Sequence, residues 1–269
     1  MADKYAVIGN PVAHSKSPFI HAEFARQTAQ DISYGRMLAP LDGFELTVRG
    51  LVEQGYQGVN ITVPFKVQAF ALCDALSERA TAAGAVNTLM FAGGKISGDN
   101  TDGAGLVSDI ANNLKVVLQG KRILLLGAGG AAQGVILPLM QQQPAALMVA
   151  NRTIEKAERM VGRQAGFSHL PRASTFAGLQ GEFDIIINAT STGLTETALP
   201  IADSLFAENC LAYDMMYGRE TPFMKQAREN GAQVADGLGM LVEQAAEAFY
   251  LWRGVRPDTR PVIALLRSL

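Results

Sequence analysis

The sequence predicts an α/β protein of two lobes, the second a doubly wound parallel sheet. Three observations carry this. Short aliphatic runs, as in strands buried on both faces, recur at 123–126, 145–150 and 183–188. Helical patterns separate the strand patterns, so strand and helix alternate along the chain. A glycine-rich turn, Gly127-Ala-Gly-Gly-Ala-Ala132, joins the first of those runs to a helix.

The elements follow in order. Lys4 to Ile8 reads as a strand, and Pro18 to Thr28 as a helix capped by Ser17 with Pro18 in its first turn. Ile32 to Leu38 is a strand, Gly43 to Gln54 a helix and Gly58 to Val63 a third strand. Pro64 to Cys73 and Leu76 to Ala83 are short helices, and Asn87 to Phe91 pairs with Lys95 to Ser97 through the turn Gly93-Gly94. A helix from Gly103 to about Val116 leads into the second lobe, with strands near 121–126, 145–150, 183–188, 210–214 and 232–235. Pro138 predicts a kink or early end in the helix after the glycine turn. The last helices, Met240 to Trp252 and a turn or two within Arg256 to Leu269, are expected to pack back on the first lobe and make it discontinuous. The boundaries are then 1–102 plus 238–269 for one domain and 103–237 for the other, with ligands expected in the cleft between them.

Bulk properties narrow the function. The 269 residues are 48% hydrophobic and 18% charged, ordinary for a globular chain able to bury ample core. A net charge of −2 gives no reason to expect nucleic acid or a membrane surface as partner. Cys73 and Cys210 are far apart, without a CxxC or a Cys/His cluster, so neither a disulfide framework nor a metal site is suggested; both read as reduced, buried thiols. No leader-like segment opens the chain, and no run approaches the ~20 apolar residues of a membrane span. The expectation is a soluble cytoplasmic protein, monomer or homodimer, acting on a small molecule.

The glycine turn is a dinucleotide cradle. Gly127 permits the tight turn, Gly129 lets a pyrophosphate approach the backbone, and Ala132 allows close helix–strand packing. The helix starting near Gly130 offers unpaired N–H groups, including that of Ala131, and the positive end of its dipole to the anion. An NAD site usually ends the next strand in an acid that bonds the ribose 2′-hydroxyl. Here Asn151, Arg152 and Thr153 follow instead, with Lys156 beyond them. A guanidinium can grip a 2′-phosphate bidentately where a carboxylate would repel it, so the cofactor is read as NADP. The bland alternative, a solvated basic helix face, suits Arg159 and Arg163 better than Arg152 and Lys156.

In the first lobe, Asn60-Ile-Thr-Val-Pro-Phe-Lys66 runs a strand into a helix and puts Lys66 in the first turn, where the dipole disfavours a cation. A residue set against local electrostatics is a candidate for function, and a Lys beside a carboxylate can act as acid and base. The alternative is an exposed Lys whose stem covers apolar surface. Asp102, in Gly98-Asp-Asn-Thr-Asp-Gly103, is either that carboxylate or a helix N-cap, while Asp99 reads as a turn residue. Ser15 and Ser17 precede a helix and suit a ligand carboxylate. Asn60, Thr62 and Asn87 end strands and suit hydroxyls, together describing a pocket for a polyhydroxylated acid. Asn188-Ala-Thr-Ser-Thr-Gly193 lies at the carboxyl edge of the second sheet, and Met215, Gly237 and Met240 follow later strands on that edge, where they could line a nicotinamide.

With these motifs the chain resembles the shikimate dehydrogenase family nearly end to end. It shows His14-Ser-Lys-Ser-Pro18, Asn60-Ile-Thr-Val-Pro-Phe-Lys66, Gly84-Ala-Val-Asn-Thr88, Asn100-Thr-Asp-Gly103, Gly127-Ala-Gly-Gly-Ala-Ala132, Asn151-Arg-Thr153, Asn188-Ala-Thr-Ser191 and Gln244-Ala-Ala246 in family order. The resemblance implies a discontinuous α/β substrate-binding domain, a Rossmann-type NADP-binding domain, and reversible NADPH reduction of 3-dehydroshikimate to shikimate in aromatic amino-acid biosynthesis. It also implies Lys66 and Asp102 as the catalytic pair, and Ser15 and Ser17 on the substrate carboxylate. Asn60, Thr62, Asn87, Tyr217 and Gln244 would surround the hydroxyls. Gly127, Ala128, Gly129, Gly130, Ala131, Asn151, Arg152, Thr153, Lys156, Thr190, Ser191, Met215, Gly237 and Met240 would line the cofactor. Tyr217-Gly-Arg-Glu-Thr-Pro222 lacks the proline often found soon after the tyrosine, and Lys156 stands where some relatives carry arginine. The rival readings are a quinate/shikimate dehydrogenase working oxidatively, with NADP or with NAD, and a catalytically silent metabolite sensor on the same fold. The missing acid argues against NAD, and the presence of both Lys66 and Asp102 against the sensor.

Overall fold

A computed structural model describes residues 2–164, 170–190 and 198–269. The chain forms two compact units, Met1–Gly105 with Leu241–Leu269, and Leu106–Met240.

The first unit is built on a six-stranded mixed sheet. Its strands are β1 (Asp3–Gly9), β2 (Ile32–Leu38), β3 (Tyr56–Ile61), β4 (Ala75–Leu76), β5 (Thr88–Ala92) and β6 (Lys95–Asp99), in the order β2-β1-β3-β5-β6-β4. The hairpin of β5 and β6 turns at Gly93 and Gly94, both at positive φ, as the sequence signal required. One face of the sheet packs Ala6, Ile8, Val59 and Leu89 against α2 (Phe44–Glu53) and α3 (Lys66–Leu72). Another buried cluster joins Ile20 and Phe24 of α1 (Ser17–Thr28) to Val242, Ala245 and Phe249 of α9 (Leu238–Arg253) and Val262 of α10 (Arg260–Arg267). A short α4 (Glu78–Ala83) is capped by the Ser77 hydroxyl, which accepts the Ala80 N–H.

The second unit holds β7 (Arg122–Leu126), β8 (Ala146–Ala150), β9 (Arg172–Ser174), β10 (Phe183–Asn188), β11 (Phe206–Asp214) and β12 (Gln233–Asp236), all parallel, in the order β12-β11-β10-β7-β8-β9. This is the doubly wound order, whose switch point falls between β7 and β10. The uninterrupted aliphatic runs follow from burial on both faces. Ile123, Leu125, Ile185 and Ile187 face α6 (Gly130–Gln141) and α7 (Ile154–Val161), while Leu124, Leu126 and Ile186 face α8 (Pro222–Glu229). Each such side chain contributes roughly 1.5–3 kcal/mol of burial.

Several local expectations are corrected. Ser17 opens α1 as its first helical residue, Lys16 occupies the cap position, and no side chain among the described residues caps it; the Ser15 Oγ instead accepts the Ser17 N–H at 3.3 Å. Helix α6 does not end early but runs through Pro138 to Gln141, because proline removes one rung of the ladder while Leu139 and Met140 anchor the last turn in the core. The single helix expected over 103–116 is α5 (Asp102–Ser108) followed by a π-helical turn, Asp109–Asn113, in which the Leu114 N–H reaches back to the Asp109 carbonyl. The turn carries the buried Asp109 carboxylate, which accepts the Tyr213 O–H at 2.7 Å and the Asn113 Nδ2–H at 2.9 Å. Asp99 is no turn residue: it ends β6 buried. Cys210 is buried and Cys73 only partly so, both free, and burial pushes their thiols up to about 12 and about 11.

Candidate active site

Lys66 is the first residue of α3, and Asp102 the first of α5, 36 positions later. They meet: Lys66 Nζ donates to Asp102 Oδ2 at 2.5 Å. Asp102 Oδ1 accepts the Asn87 Nδ2–H at 2.8 Å. Both carboxylate oxygens therefore hold side chains, and Asp102 does not act as a simple helix cap. Its own N–H goes to Asn100 Oδ1 at 3.2 Å. Lys66 is partly exposed while Asp102 is buried, so the lysine is the member of the pair more open to solvent.

Asn87 is the hub of the cluster. Its Oδ1 accepts the Thr101 N–H at 2.8 Å, which fixes the sense of its amide. Its Nδ2 faces Thr101 Oγ1 at 3.0 Å and Gln244 Oε1 at 3.4 Å besides Asp102. Gln244, on α9, thereby joins the same group, although 157 positions separate it from Asn87. Asn60 is buried, with its Nδ2 on the Asn87 carbonyl at 3.3 Å and Thr88 Oγ1 at 3.1 Å. Thr62 lies just beyond β3, its N–H on the Ile8 carbonyl, and Gly9 lacks a Cβ because one would stand 2.4 Å from Thr62 Cγ2.

Ser15 and Ser17 sit together, hydroxyl to hydroxyl at 3.2 Å. Arg36, from β2, donates twice to the Ser15 carbonyl, at 3.1 and 2.7 Å. That guanidinium braces the loop and brings a cation to the hydroxyl pair, an environment suited to a carboxylate. Sequence reasoning passed over it, because an exposed Arg on an edge strand carries no local signal.

A second clamp also escaped the sequence. Arg79 of α4 forks onto Asp99 at 2.8 and 2.9 Å and reaches Glu247 of α9 at 2.8 Å. Ser77 Oγ donates to Asp99 at 2.6 Å and the Asn100 N–H lies 2.6 Å from the same oxygen. The clamp ties the segment leading to Asp102 to the helix carrying Gln244. Arg79 and Arg256 hold the Glu247 carboxyl below the usual range, against burial, which is the largest single influence and opposes them.

In the second unit the glycine turn has the shape a pyrophosphate needs. Gly127 adopts φ +107°, and a Cβ there would press on Thr190 Cγ2 and the Ala189 backbone at 3.1–3.2 Å. Gly129 is the backbone N-cap of the twelve-residue α6, and a Cβ at Gly129 or Gly130 would meet nothing within 4 Å among the described residues. Gly129, Gly130 and Ala131 are exposed, and Ala128 is partly so. The cradle is open where a ligand would fill it, so the residues fit a dinucleotide phosphate. Asn151 turns its Nδ2 to the Thr153 carbonyl at 2.8 Å, ordering the bend after β8. Arg152 and Lys156 are exposed and make no ion pair among the described residues.

Thr190 donates its hydroxyl and N–H to Asn188 Oδ1 at 2.7 and 3.0 Å, and Ser191 lies outside the described residues. Met215 follows β11, and Gly237 is required there: a Cβ would fall 2.2 Å from the Met215 carbonyl oxygen. Met240 is buried in the core, with its N–H on the Tyr213 hydroxyl at 3.3 Å. Tyr217 belongs to this unit, more than a third exposed, and burial of the rest raises its pKa.

The chain matches three family descriptions: the shikimate dehydrogenase substrate binding domain over residues 7–89, shikimate / quinate 5-dehydrogenase over 109–199, and the shikimate 5′-dehydrogenase C-terminal domain over 237–267. It is 61% identical over 268 residues to the shikimate dehydrogenase (NADP(+)) of Methylobacillus flagellatus, covering 99% of each chain. An Ael1 enzyme from Pseudomonas putida has a similar structure, with a TM-score of 0.94 at 48% identity over 98% of both chains. The shikimate 5-dehydrogenase of Thermus thermophilus, solved with NADP(H) and shikimate, gives a TM-score of 0.87 at 32% identity over 99% of both chains.

Proposed function

The chain belongs to the shikimate dehydrogenase family, and on that premise we propose that it reduces 3-dehydroshikimate to shikimate reversibly, with NADPH, in aromatic amino-acid biosynthesis. The observation that carries the reading is the Lys66–Asp102 pair, held at 2.5 Å with Asn87 on the second carboxylate oxygen. NADPH, when bound, supplies the hydride; the residues of the chain bind, orient and move the proton.

Lys66 gives a proton from Nζ to the substrate oxygen as the ketone becomes a hydroxyl, and takes it back in the oxidative direction. Asp102 keeps Nζ in place and accepts a substrate hydroxyl, while Asn87 prevents the carboxylate from turning. Ser15 and Ser17 hold the substrate carboxylate, supported by Arg36 on the loop carbonyl. Asn60, Thr62, Asn87, Tyr217 and Gln244 are assigned to the hydroxyls. Gly127 to Ala131 hold the pyrophosphate at the start of α6, and Asn151, Arg152, Thr153 and Lys156 the 2′-phosphate. Thr190, Ser191, Met215, Gly237 and Met240 are assigned to the nicotinamide side. The substrate domain is taken as 1–102 plus 238–269 and the cofactor domain as 103–237. No helix among the described residues is long and apolar enough to cross a membrane, and a cytoplasmic setting suits two free thiols.

A steady-state assay followed at the nicotinamide absorbance tests substrate and cofactor together. The expected result is turnover of shikimate with NADP well above that of quinate or of NAD. Preference for quinate or NAD would favour the oxidative rival, and absence of turnover with any of them the sensor.

A further inference from the structure

One residue outside every motif reaches into the substrate cluster. Tyr34 lies on β2, at the edge of the first sheet, and its hydroxyl donates to Asn60 Oδ1 at 2.7 Å. Register explains how. Tyr34 is paired with Tyr5 of β1, and Asn60 of β3 with Val7, two places along the same strand. Both therefore project from one face, and the phenol spans β1 diagonally. Asn60 is in turn paired with Thr88, and Thr88 with Asp99, so a polar row crosses the sheet on this face.

The hydrogen bonds in that row have one direction. Tyr34 O–H donates to Asn60 Oδ1, Asn60 Nδ2 to Thr88 Oγ1 at 3.1 Å, Thr88 O–H to Asn87 Oδ1 at 2.9 Å, and Asn87 Nδ2 to Asp102 Oδ1 at 2.8 Å. Asp102 Oδ2 closes the series on Lys66. Turning either amide over would set donor against donor or acceptor against acceptor along the line.

The phenol is itself clamped. Its ring stacks on His21 with centroids 4.2 Å apart and planes within 7°, and Trp252 leans on it at 6.3 Å. His21 is fully buried, and burial pushes its pKa down to about 3, against the opposing influence of the neighbouring Asn60 side chain. It serves as a neutral plate behind the phenol.

We infer that Tyr34 is a positioning residue for the substrate: its hydroxyl fixes the Asn60 amide at the head of the hydrogen-bond series that ends on Asp102. The inference rests on the reading of Asn60 and Asp102 as substrate-site groups. The test is titration calorimetry of shikimate into the cofactor-free protein, for the parent, Tyr34→Phe, Asn60→Ala and the double variant, with NADP titrated separately. Phe keeps the ring and its stack and removes only the hydroxyl. A net hydrogen bond of ~0.5–1.5 kcal/mol corresponds to a weakening of roughly 2- to 13-fold. Tyr34→Phe should weaken shikimate by that factor, leave NADP affinity unchanged, and add less in the Asn60→Ala background than it does alone, Ser17 being the other side chain that the phenol hydroxyl touches. Unchanged shikimate affinity, an equal loss for NADP, or a full additional loss in the Asn60→Ala background would each overturn it. A parent that binds no shikimate would instead overturn the functional reading, before any variant is compared.

Discussion

In the first unit the candidate groups already hold one another: Lys66 is on Asp102, Asp102 on Asn87, and Asn87 on Thr101 and Gln244. In the second, Gly129, Gly130, Ala131 and Arg152 stand exposed, with open space beside the two glycines. The first arrangement is made of side chains that hold one another; the second is made of backbone, a helix terminus and the absence of side chains. A reacting centre needs geometry held to a fraction of an ångström, and a prearranged network supplies it. A phosphate carries its own charge and acceptors, so its host need only leave room and N–H groups. If this contrast is right, damage in the first unit falls on turnover, and damage in the second on cofactor affinity.

The largest effect is expected at Lys66. Lys66→Ala removes the proton donor and leaves Asp102 with Asn87 alone, and general acid–base help is typically worth ~10²–10⁴-fold. kcat should fall by about that factor while KM for NADP changes little; a variant with near-full kcat would take Lys66 out of the reaction. Next comes Arg152→Ala. A charge-assisted bond contributes ~1.5–3 kcal/mol, so KM for NADPH should rise roughly 13- to 150-fold, with KM for NADH nearly unchanged. Equal rises for both nucleotides would break the assignment of Arg152 to the 2′-phosphate.

The glycines sharpen the comparison within the second unit. Gly127 sits at φ +107° against the backbone of Ala189, so Gly127→Ala should cost about 1–3 kcal/mol of stability, seen as a lower Tm. Gly129 has ordinary φ and free space around its Cβ position, so Gly129→Ala should leave Tm within a degree or two while weakening NADP. A Tm loss at Gly129 matching that at Gly127 would mean that the open cradle serves folding and not a ligand.

The same contrast governs what could be read without coordinates. The cofactor turn was legible because its signal is local: an aliphatic strand, spaced glycines and a helix lie within about twenty consecutive residues. The hairpin at Gly93-Gly94 was legible for the same reason. The first-unit cluster was legible only in part. Lys66 stood out by its place at a helix start, but Asp102 read equally well as a cap, since nothing local says that its two oxygens are taken by residues 36 and 15 positions away. Arg79–Asp99, Arg36–Ser15 and Tyr34–Asn60 were invisible because each joins separate elements through sheet order alone. Strand β9 was missed as three residues without alternation, and the early end that Pro138 allowed does not occur because core burial outweighs one missing rung.

The exception in the first unit gives the smallest effect. His21 is fully buried among rings, with the Asn60 side chain as the group that favours its charged form. Its folded pKa of about 3 lies below the ordinary 6.5 because burial penalises the charged form. As pH falls through 6.5 the unfolded chain takes up a proton on this residue and the folded chain does not, so acidification favours unfolding; the contribution is complete above 6.5 and is lost towards 3. Between pH 6.5 and 5.5 this amounts to about 1 kcal/mol. His21→Phe keeps a ring beside Tyr34 and has no proton to take up, so its denaturant-derived stability should fall less than the parent's over that interval, by about that amount. Parallel curves for parent and variant would show that His21 titrates alike in both states, and that the ring behind Tyr34 is reached by water.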